Sequence, residues 1–406
     1  MRILFLTDNF PPEVNAPAGR TYEHCRQWVK QGAHVTVITC APNFPQGRVF
    51  FGYKNKVYQT EEKDGMRIVR VWSYMTANTG VVKRTLDYVS FACTGFWAGL
   101  FHKADVIIAT SPQFFTAWAG WALAKLKCKP FVFEVRDLWP ESIATVGAVQ
   151  RKIVLKALET IELILYRQAA AVVVVTPGLK DNLIHRGIAQ NNVYVISNGV
   201  DKTVFAPRPR DEELIKTLGL ENKFVISFIG THGLAHGLDF IVSCLDDLQD
   251  SDVHFLFIGE GAEKSKVQAL AQKRGLNNCT FLDLVPRNHV PRYISASHAA
   301  LVHLKHRKMF QKALPSKMFE AASMECPLLL GVDGLARELI ETYQAGIFFQ
   351  PENKISFLQA VRRLKKDQEL YAACQKGCRR LAEDFDRSTK AQEMYQIVQQ
   401  LVDGDE

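Results

Sequence analysis

Residues Lys305–Gly331, KHRKMFQKALPSKMFEAASMECPLLLG, join a cationic loop, a Pro-Ser turn, an amphipathic helix and a buried strand in one run. Met318, Phe319, Ala321, Ala322 and Met324 give that helix an apolar face. Ser316 stands where an N-cap would, so backbone N–H groups of the first turn point outward beside Lys312 and Lys317. Such a helix end suits a phosphate or diphosphate. Glu320, one turn in, is placed to accept two hydroxyls of a ribose. The competing reading is a basic surface loop capping an ordinary helix.

A strand followed by a helix that starts on a ligand-like loop is the repeating unit of a parallel sheet, and the pattern continues outward from this stretch. Ala299–Leu304, Phe224–Ile229, His254–Ile258 and Thr280–Leu284 read as strands, each followed by a helical segment. The first half has the same rhythm: Ile3–Thr7, His34–Thr39, Met66–Trp72, Val106–Thr110, Pro130–Val135, Ala171–Thr176 and Val193–Ile196 are apolar runs separated by helices. The chain is therefore expected to be α/β, with two successive Rossmann-like domains and a cleft between them. Ligands of such sheets bind at the carboxyl ends of the strands.

Several loops fall at those ends. Asp8–Arg20 is Pro-rich, with helix from Thr21; Gly19 either allows a close backbone approach to a ligand or is a turn glycine. Arg136, Asp137 and Glu141 follow the strand ending at Val135. Asp137 and Glu141 are candidates to take an acceptor proton or bind a sugar hydroxyl, or else to pair with Arg136. Gly230-Thr231-His232-Gly233-Leu234-Ala235-His236-Gly237 has the small residues of a phosphate loop. It reads alternatively as a structural turn or a His232/His236 metal pair, but no Glu follows the first His and glycine breaks the helix. Gly259-Glu260-Gly261 lacks the third glycine of a dinucleotide fingerprint, and there is no phosphate-loop GxxxxGK[ST]. The DxD pairs at 250–252 and 384–386 read as surface turns, so no metal site is expected.

A formal charge of +8 over 406 residues fits an anionic small molecule or an anionic membrane surface and is too weak to argue nucleic acid. Nine scattered cysteines without a CxxC read as reduced thiols. No run reaches the length of a spanning helix. Val81–His102 opens with Lys83 and Arg84, then runs almost wholly apolar, and reads as a buried helix or an interfacial one.

Together, FPPEVNAPAGR (10–20), SNGVDKTVFAP (197–207), FIGTHGLAHGLD (228–239), FLFIGEG (255–261), LPSKMFEAASMECPLLL (314–330) and the closing FDRSTKAQEMYQIVQQL (385–401) resemble a GT-B glycosyltransferase of family 4 over nearly the whole chain. EVRDLWPES (134–142) and GTHGLAHG (230–237) resemble bacterial transferases of O-antigen and capsule assembly, the fucosamine type. The resemblance implies an acceptor-binding domain at 1–205, a nucleotide-sugar domain at 206–385, the two facing each other across a cleft, and a helix at 386–406 that packs back on the first. It implies a UDP-sugar donor and a polyprenyl-diphosphate-linked saccharide acceptor at the inner face of the cytoplasmic membrane, with no nucleic-acid partner and no cofactor.

In site terms, Glu320 matches the second glutamate of the family's E-x7-E motif, and Lys312 occupies the first. Thr231 and His236 occupy the positions of the family's usual Arg and Lys. The implied donor set is Gly19, Gly230, Thr231, His232, His236, Leu284, Val285, Ser316 and Glu320; the catalytic set is Asp137, Lys312 and Lys317; the acceptor set is Arg136 and Glu141. The expected reaction is a retaining, metal-independent transfer of an N-acetylated amino or deoxyamino sugar to a lipid-linked saccharide. The rivals are a UDP-sugar 2-epimerase of the same fold and a non-catalytic nucleotide-sugar-binding subunit.

Overall fold

The computed structural model describes residues 1–13, 15–44, 46–76, 81–111, 113–137, 152–249 and 251–404. It divides into two compact units, Met1–Ser197 with Ser388–Glu406, and Asn198–Arg387.

The first unit holds an eight-stranded sheet of β1 (Arg2–Leu6), β2 (His34–Cys40), β3 (Tyr58–Lys63), β4 (Met66–Val71), β5 (Val106–Thr110), β6 (Phe131–Val135), β7 (Ala171–Val174) and β8 (Val193–Val195), in the order β3-β4-β2-β1-β5-β6-β7-β8. All neighbours are parallel except β3 and β4. The central strands are almost wholly apolar because both faces are buried, β6 being interrupted by Glu134. The edge hairpin was not expected, although its Asp64-Gly65 turn carries the sequence signal: both residues have the positive φ that a two-residue hairpin turn requires.

A second correction concerns the first helix. It runs Ala16–Lys30 and starts earlier than expected, because Asn15 caps it by accepting the Ala18 N–H at 2.9 Å and Pro17 fits its first turn. Gly19 is thus a buried residue of a helical turn, outside the loop. Arg20 is buried against Glu134 at 2.7 Å and donates to the Ile196 and Ser197 carbonyls at 2.8 Å each. Burial alone would raise the Glu134 carboxyl, but the guanidinium holds it at about 2.

The C-terminal helix Arg387–Asp403 completes this unit. Trp28 Nε1 donates to the Ala391 carbonyl at 2.8 Å, and Trp28 stacks on Tyr395. Met394, Tyr395 and Val398 share a core with Phe5, Trp28 and Val37.

The second unit holds six parallel strands, β9 (Phe224–Ile229), β10 (Val253–Ile258), β11 (Cys279–Leu282), β12 (Ala299–His303), β13 (Leu328–Gly331) and β14 (Gly346–Phe348), in the order β11-β10-β9-β12-β13-β14. Val200 and Phe205, placed with the first domain by sequence, pack in this unit's core with Phe319 and Leu330. Three helices follow β14 where two were expected, Lys354–Lys366, Gln368–Asp384 and Arg387–Asp403.

Candidate functional site: a buried lysine at the switch point of the second sheet

In the second unit the connections from β9 and β12 leave toward opposite sides of the sheet, which opens a crevice between the ends of these neighbouring strands. Their loops are tied together there. Lys305 N donates to the Ala235 carbonyl at 2.9 Å. His303 Nδ1 donates to the His236 carbonyl at 2.6 Å, and His236 Nδ1 lies 3.4 Å from the His303 carbonyl.

The glycine loop after β9 rests on a second one. His232 N donates to the Glu260 carbonyl at 2.8 Å, and Glu263 N to the His232 carbonyl at 2.9 Å. A Cβ on Gly259 would stand 1.9 Å from the Gly230 carbonyl oxygen, and one on Gly261 would stand 2.5 Å from that of His232. Gly259 also has a φ of +142°, a conformation that favours glycine. Gly259-Glu260-Gly261 is therefore the floor that shapes the 230–237 loop. Lys264 secures it by bridging Glu260 and Asp283 at 2.6 Å each.

Lys317 lies at the centre. It is the second residue of the helix Ser316–Ser323, and its Nζ is buried with no hydrogen-bond partner. The ammonium sits 3.7 Å from the Phe228 ring centroid and 3.0 Å from where a Gly230 Cβ would be. Burial pulls its pKa down to about 7, against a small opposing pull from Glu320. An enclosed cation facing only an aromatic ring is poorly compensated. A ligand anion beside it would restore what burial removes.

The neighbouring imidazoles are neutral. Burial, with Lys317 contributing, lowers His236 to about 3; burial with Lys264 and Lys317 lowers His232 to about 4. His232 is fully buried beneath the loop with neither ring nitrogen partnered, so of the two histidines only half-buried His236 has a surface to offer a ligand.

Glu320 is partly buried and lies 3.7 Å from Arg287 Nη2. With Lys317 and Ser227 it lines a small cavity between β9, β12 and the helix, and the buried Ser227 Oγ has no partner there.

The structure thus brings Gly230, His236, Ser316, Lys317 and Glu320 to one strand-end crevice. Thr231 and Lys312 are exposed. Lys312 closes the short turn Lys308–Lys312. Leu284 is exposed and Val285 half-buried after β11. Ser316 is the first helical residue, and Pro315 holds the cap position without a side-chain bond. That is a correction: no side chain caps the first turn, which leaves it open to a ligand. Arg287 and Ser227 were missed. The basic-polar run Pro286–His289 directly after a parallel strand is the signal that pointed to Arg287.

In the first unit, the Arg136 and Asp137 backbone N–H groups point to Ser111 Oγ at 2.7 and 3.4 Å, and the Asp137 side chain is exposed after β6. Gly19 is in the helix Ala16–Lys30 of this unit, and the other donor candidates belong to the second unit. Glu141 lies outside the described residues. Among the described residues no helix is long and apolar enough to cross a membrane, and no group of three or more His, Cys, Asp or Glu stands together as metal ligands would.

Two family models match. Glycosyltransferase Family 4 covers residues 19–204, and Glycosyl transferases group 1 covers residues 209–380. Among curated proteins, the glycosyl transferase WcaI of Escherichia coli (strain K12), named for colanic acid biosynthesis, is 25% identical over 374 residues, which is 89% of this chain and 91% of WcaI. Among solved structures, sucrose-phosphate synthase of Thermosynechococcus elongatus aligns with a TM-score of 0.79 at 15% identity, over 99% of each chain. Anabaena HepE, solved in complex with UDP and glucose, aligns with a TM-score of 0.74 at 17% identity, over 98% of this chain and 99% of its own.

Proposed function

The chain belongs to the group 1 and family 4 glycosyltransferases, and from that premise we propose that it moves a sugar from a UDP-sugar to a lipid-linked saccharide in the assembly of a bacterial surface polysaccharide. The observation that carries the donor half of this reading is Lys317. A buried ammonium without a hydrogen-bond partner, at an uncapped helix N-terminus where two strand-end loops meet, suits a diphosphate. HepE, of the same fold, was solved with UDP and glucose. The assignment to polysaccharide assembly is supported by the name of WcaI, which refers to colanic acid biosynthesis.

In this reading the diphosphate lies against Lys317, the Ser316 turn and the 230–237 backbone. Glu320 holds the ribose hydroxyls, with Arg287 fixing the carboxylate. The anomeric carbon–oxygen bond to the diphosphate breaks as the bond to the acceptor oxygen forms on the same face. The acceptor's hydroxyl proton passes to the departing phosphate oxygen. Negative charge grows on that phosphate, and a cation and helix dipole already in place stabilise it without reorganising. The chemistry is expected to proceed without a metal ion. The sugar is expected to be an N-acetylated amino or deoxyamino sugar.

An exposed aromatic and cationic face on the first unit supports a membrane contact in this reading. The helix Val81–Leu100 and the turn after it expose Leu86, Trp97 and Phe101, the last two at 63% and 83%. Thr94 Oγ1 bonds the Trp72 carbonyl at 2.7 Å, and Tyr58 Oη lies 3.2 Å from His102 Nε2, so exposed Tyr58 and Trp72 lie beside the same helix. Lys103, Lys125 and Lys129 are exposed nearby, and Arg67 and Lys127 are close enough to help lower the His102 pKa after burial. Aromatic side chains ringed by cations suit an anionic headgroup layer. The protein would then work at the inner face of the cytoplasmic membrane.

The test is UDP release from a panel of UDP-sugars in EDTA, with and without a membrane extract containing polyprenyl-linked acceptors. Acceptor-dependent, EDTA-resistant release supports the reading. Conversion of the sugar without UDP release, or UDP binding without turnover of any donor, overturns it.

A further inference from the structure

His303, the last residue of β12, is an imidazole in an aromatic core. Its ring is fully buried and stacks with Phe240 and Phe349, with centroids 5.6 and 5.7 Å away and interplanar angles of 25° and 8°. A glycine makes the room: a Cβ on Gly331 would stand 2.5 Å from His303 Cδ2 and 2.3 Å from Phe349 Cζ. A phenylalanine would serve this packing as well and would bring no polar atom. The histidine has a cost, because its Nε2 is buried with no partner. Burial also lowers its pKa to about 4, so the ring is neutral at pH 7.

What the imidazole adds to the packing is one N–H. Nδ1 stands 2.6 Å from the His236 carbonyl oxygen, so the proton of the neutral ring is on Nδ1 and Nε2 is bare. Two residues on, Lys305 N donates to the Ala235 carbonyl at 2.9 Å. Two successive carbonyls of the 230–237 loop are thus pinned to the end of β12. The approach is close: a Cβ on Gly237, whose φ is +55°, would stand 3.0 Å from His303 Cε1. In a trans peptide the N–H points opposite to the carbonyl, so holding these two carbonyls also sets the directions of the His236 and Gly237 N–H groups. His236 N in turn donates to the Gly233 carbonyl at 3.0 Å and closes the turn Leu234–His236. The single bond from His303 therefore bears on the shape of the whole second half of the loop.

We propose that His303 is a positioning residue for the nucleotide-sugar site: its Nδ1–H holds the His236 carbonyl and, through it, the shape of the 230–237 loop on which the diphosphate rests. The role depends on the glycosyl-transfer reading, in which that loop meets the donor. His303 is fully buried and acts through the loop, without touching substrate.

Two variants of the full chain separate the hydrogen bond from the packing. His303→Phe keeps a stacked ring and loses the donor, whereas His303→Asn loses the ring and keeps an N–H where Nδ1 stood. Urea unfolding reports the packing, and equilibrium binding of UDP and of uridine reports the loop. His303→Phe should unfold close to wild type, yet its UDP Kd should rise about tenfold while its uridine Kd stays within about twofold. His303→Asn should be the less stable protein and still bind UDP within about threefold of wild type. A role confined to packing gives the reverse order, with the Asn variant the weaker binder. If the Asn variant does not fold, the Phe variant decides alone. NMR of the 15N-histidine-labelled chain at pH 7 should show the His303 proton on Nδ1, the assignment being made by the signal that His303→Phe removes. The role is overturned by wild-type UDP affinity in His303→Phe, by weaker UDP binding in the Asn variant than in the Phe variant, or by a proton on Nε2. Absence of UDP binding in wild type removes the donor reading and this role with it. UDP binding that His303→Phe leaves unchanged removes the role alone.

Discussion

Replacing Lys317 by Met should make the ligand-free second unit more stable while disabling it. In the folded chain the Lys317 pKa falls from the usual 10.5 to about 7, chiefly through burial. The sign follows from proton counting. Below pH 7 both folded and unfolded chains hold the proton, and the folded state bears the whole cost of the buried charge. Between pH 7 and 10.5 the unfolded chain binds more protons, so stability rises with pH; above 10.5 the cost is gone. At about 1.4 kcal/mol per pH unit, the cost is at most about 5 kcal/mol at pH 6 and about 2 kcal/mol at pH 9. Methionine keeps the length of the side chain and its contact with Phe228, and it removes the charge. Urea unfolding at the two pH values measures the difference. All six tryptophans precede residue 198, so their emission follows the first unit, while far-UV circular dichroism follows both. The variant should shift only the second unit's transition, upward, by a gap that shrinks from pH 6 to pH 9. A destabilised variant, or a gap independent of pH, would refute the placement of a charged ammonium in that enclosure.

Further outcomes follow from the same geometry. Wild-type UDP affinity should fall as pH rises from 7 to 9, by up to about tenfold per unit, because the neutral amine must take up a proton to bind the diphosphate; calorimetry in buffers of different ionisation enthalpy should report that uptake. Glu320→Ala should raise the donor Kd more than tenfold with little change in turnover at saturation, and an unchanged Kd in equilibrium dialysis would remove the ribose from Glu320. Gly259→Ala should abolish donor binding, since its Cβ would fall 1.9 Å from the Gly230 carbonyl oxygen; normal donor affinity in a folded variant would show that the floor loop does not shape the site. Wild type should float with anionic liposomes and a Trp97→Glu/Phe101→Glu double variant should not, and equal partitioning of the two would dismiss the membrane face.

The central strands were legible because parallel strands buried on both faces are uninterrupted apolar runs, as in ILFL of β1 and FLFI of β10. The helix at Ser316–Ser323 was legible from its apolar face. Which of five cations in its approach points inward was not: Lys312 is exposed and Lys317 enclosed only because Phe228, 89 residues earlier, supplies the ring above it. The Gly259-Glu260-Gly261 turn looked like a failed cofactor motif because its role is to fit against another backbone, a contact no spacing rule encodes. Arg20 and Glu134 are far apart in sequence and meet only in the fold. The early start of the first helix and the Asp64-Gly65 hairpin, by contrast, carried local signals in the sequence, an Asx cap at Asn15 and a turn dipeptide.

The most direct test of a diphosphate cradle at Lys317 is equilibrium binding of UDP and of uridine to wild type and to Lys317→Met at pH 6.5. A charge-assisted contact of about 2–3 kcal/mol corresponds to roughly a hundredfold in affinity. The expected result is that UDP binding falls by about that factor in the variant while uridine binding stays within about twofold. Equal losses for both ligands, or none for either, would contradict it.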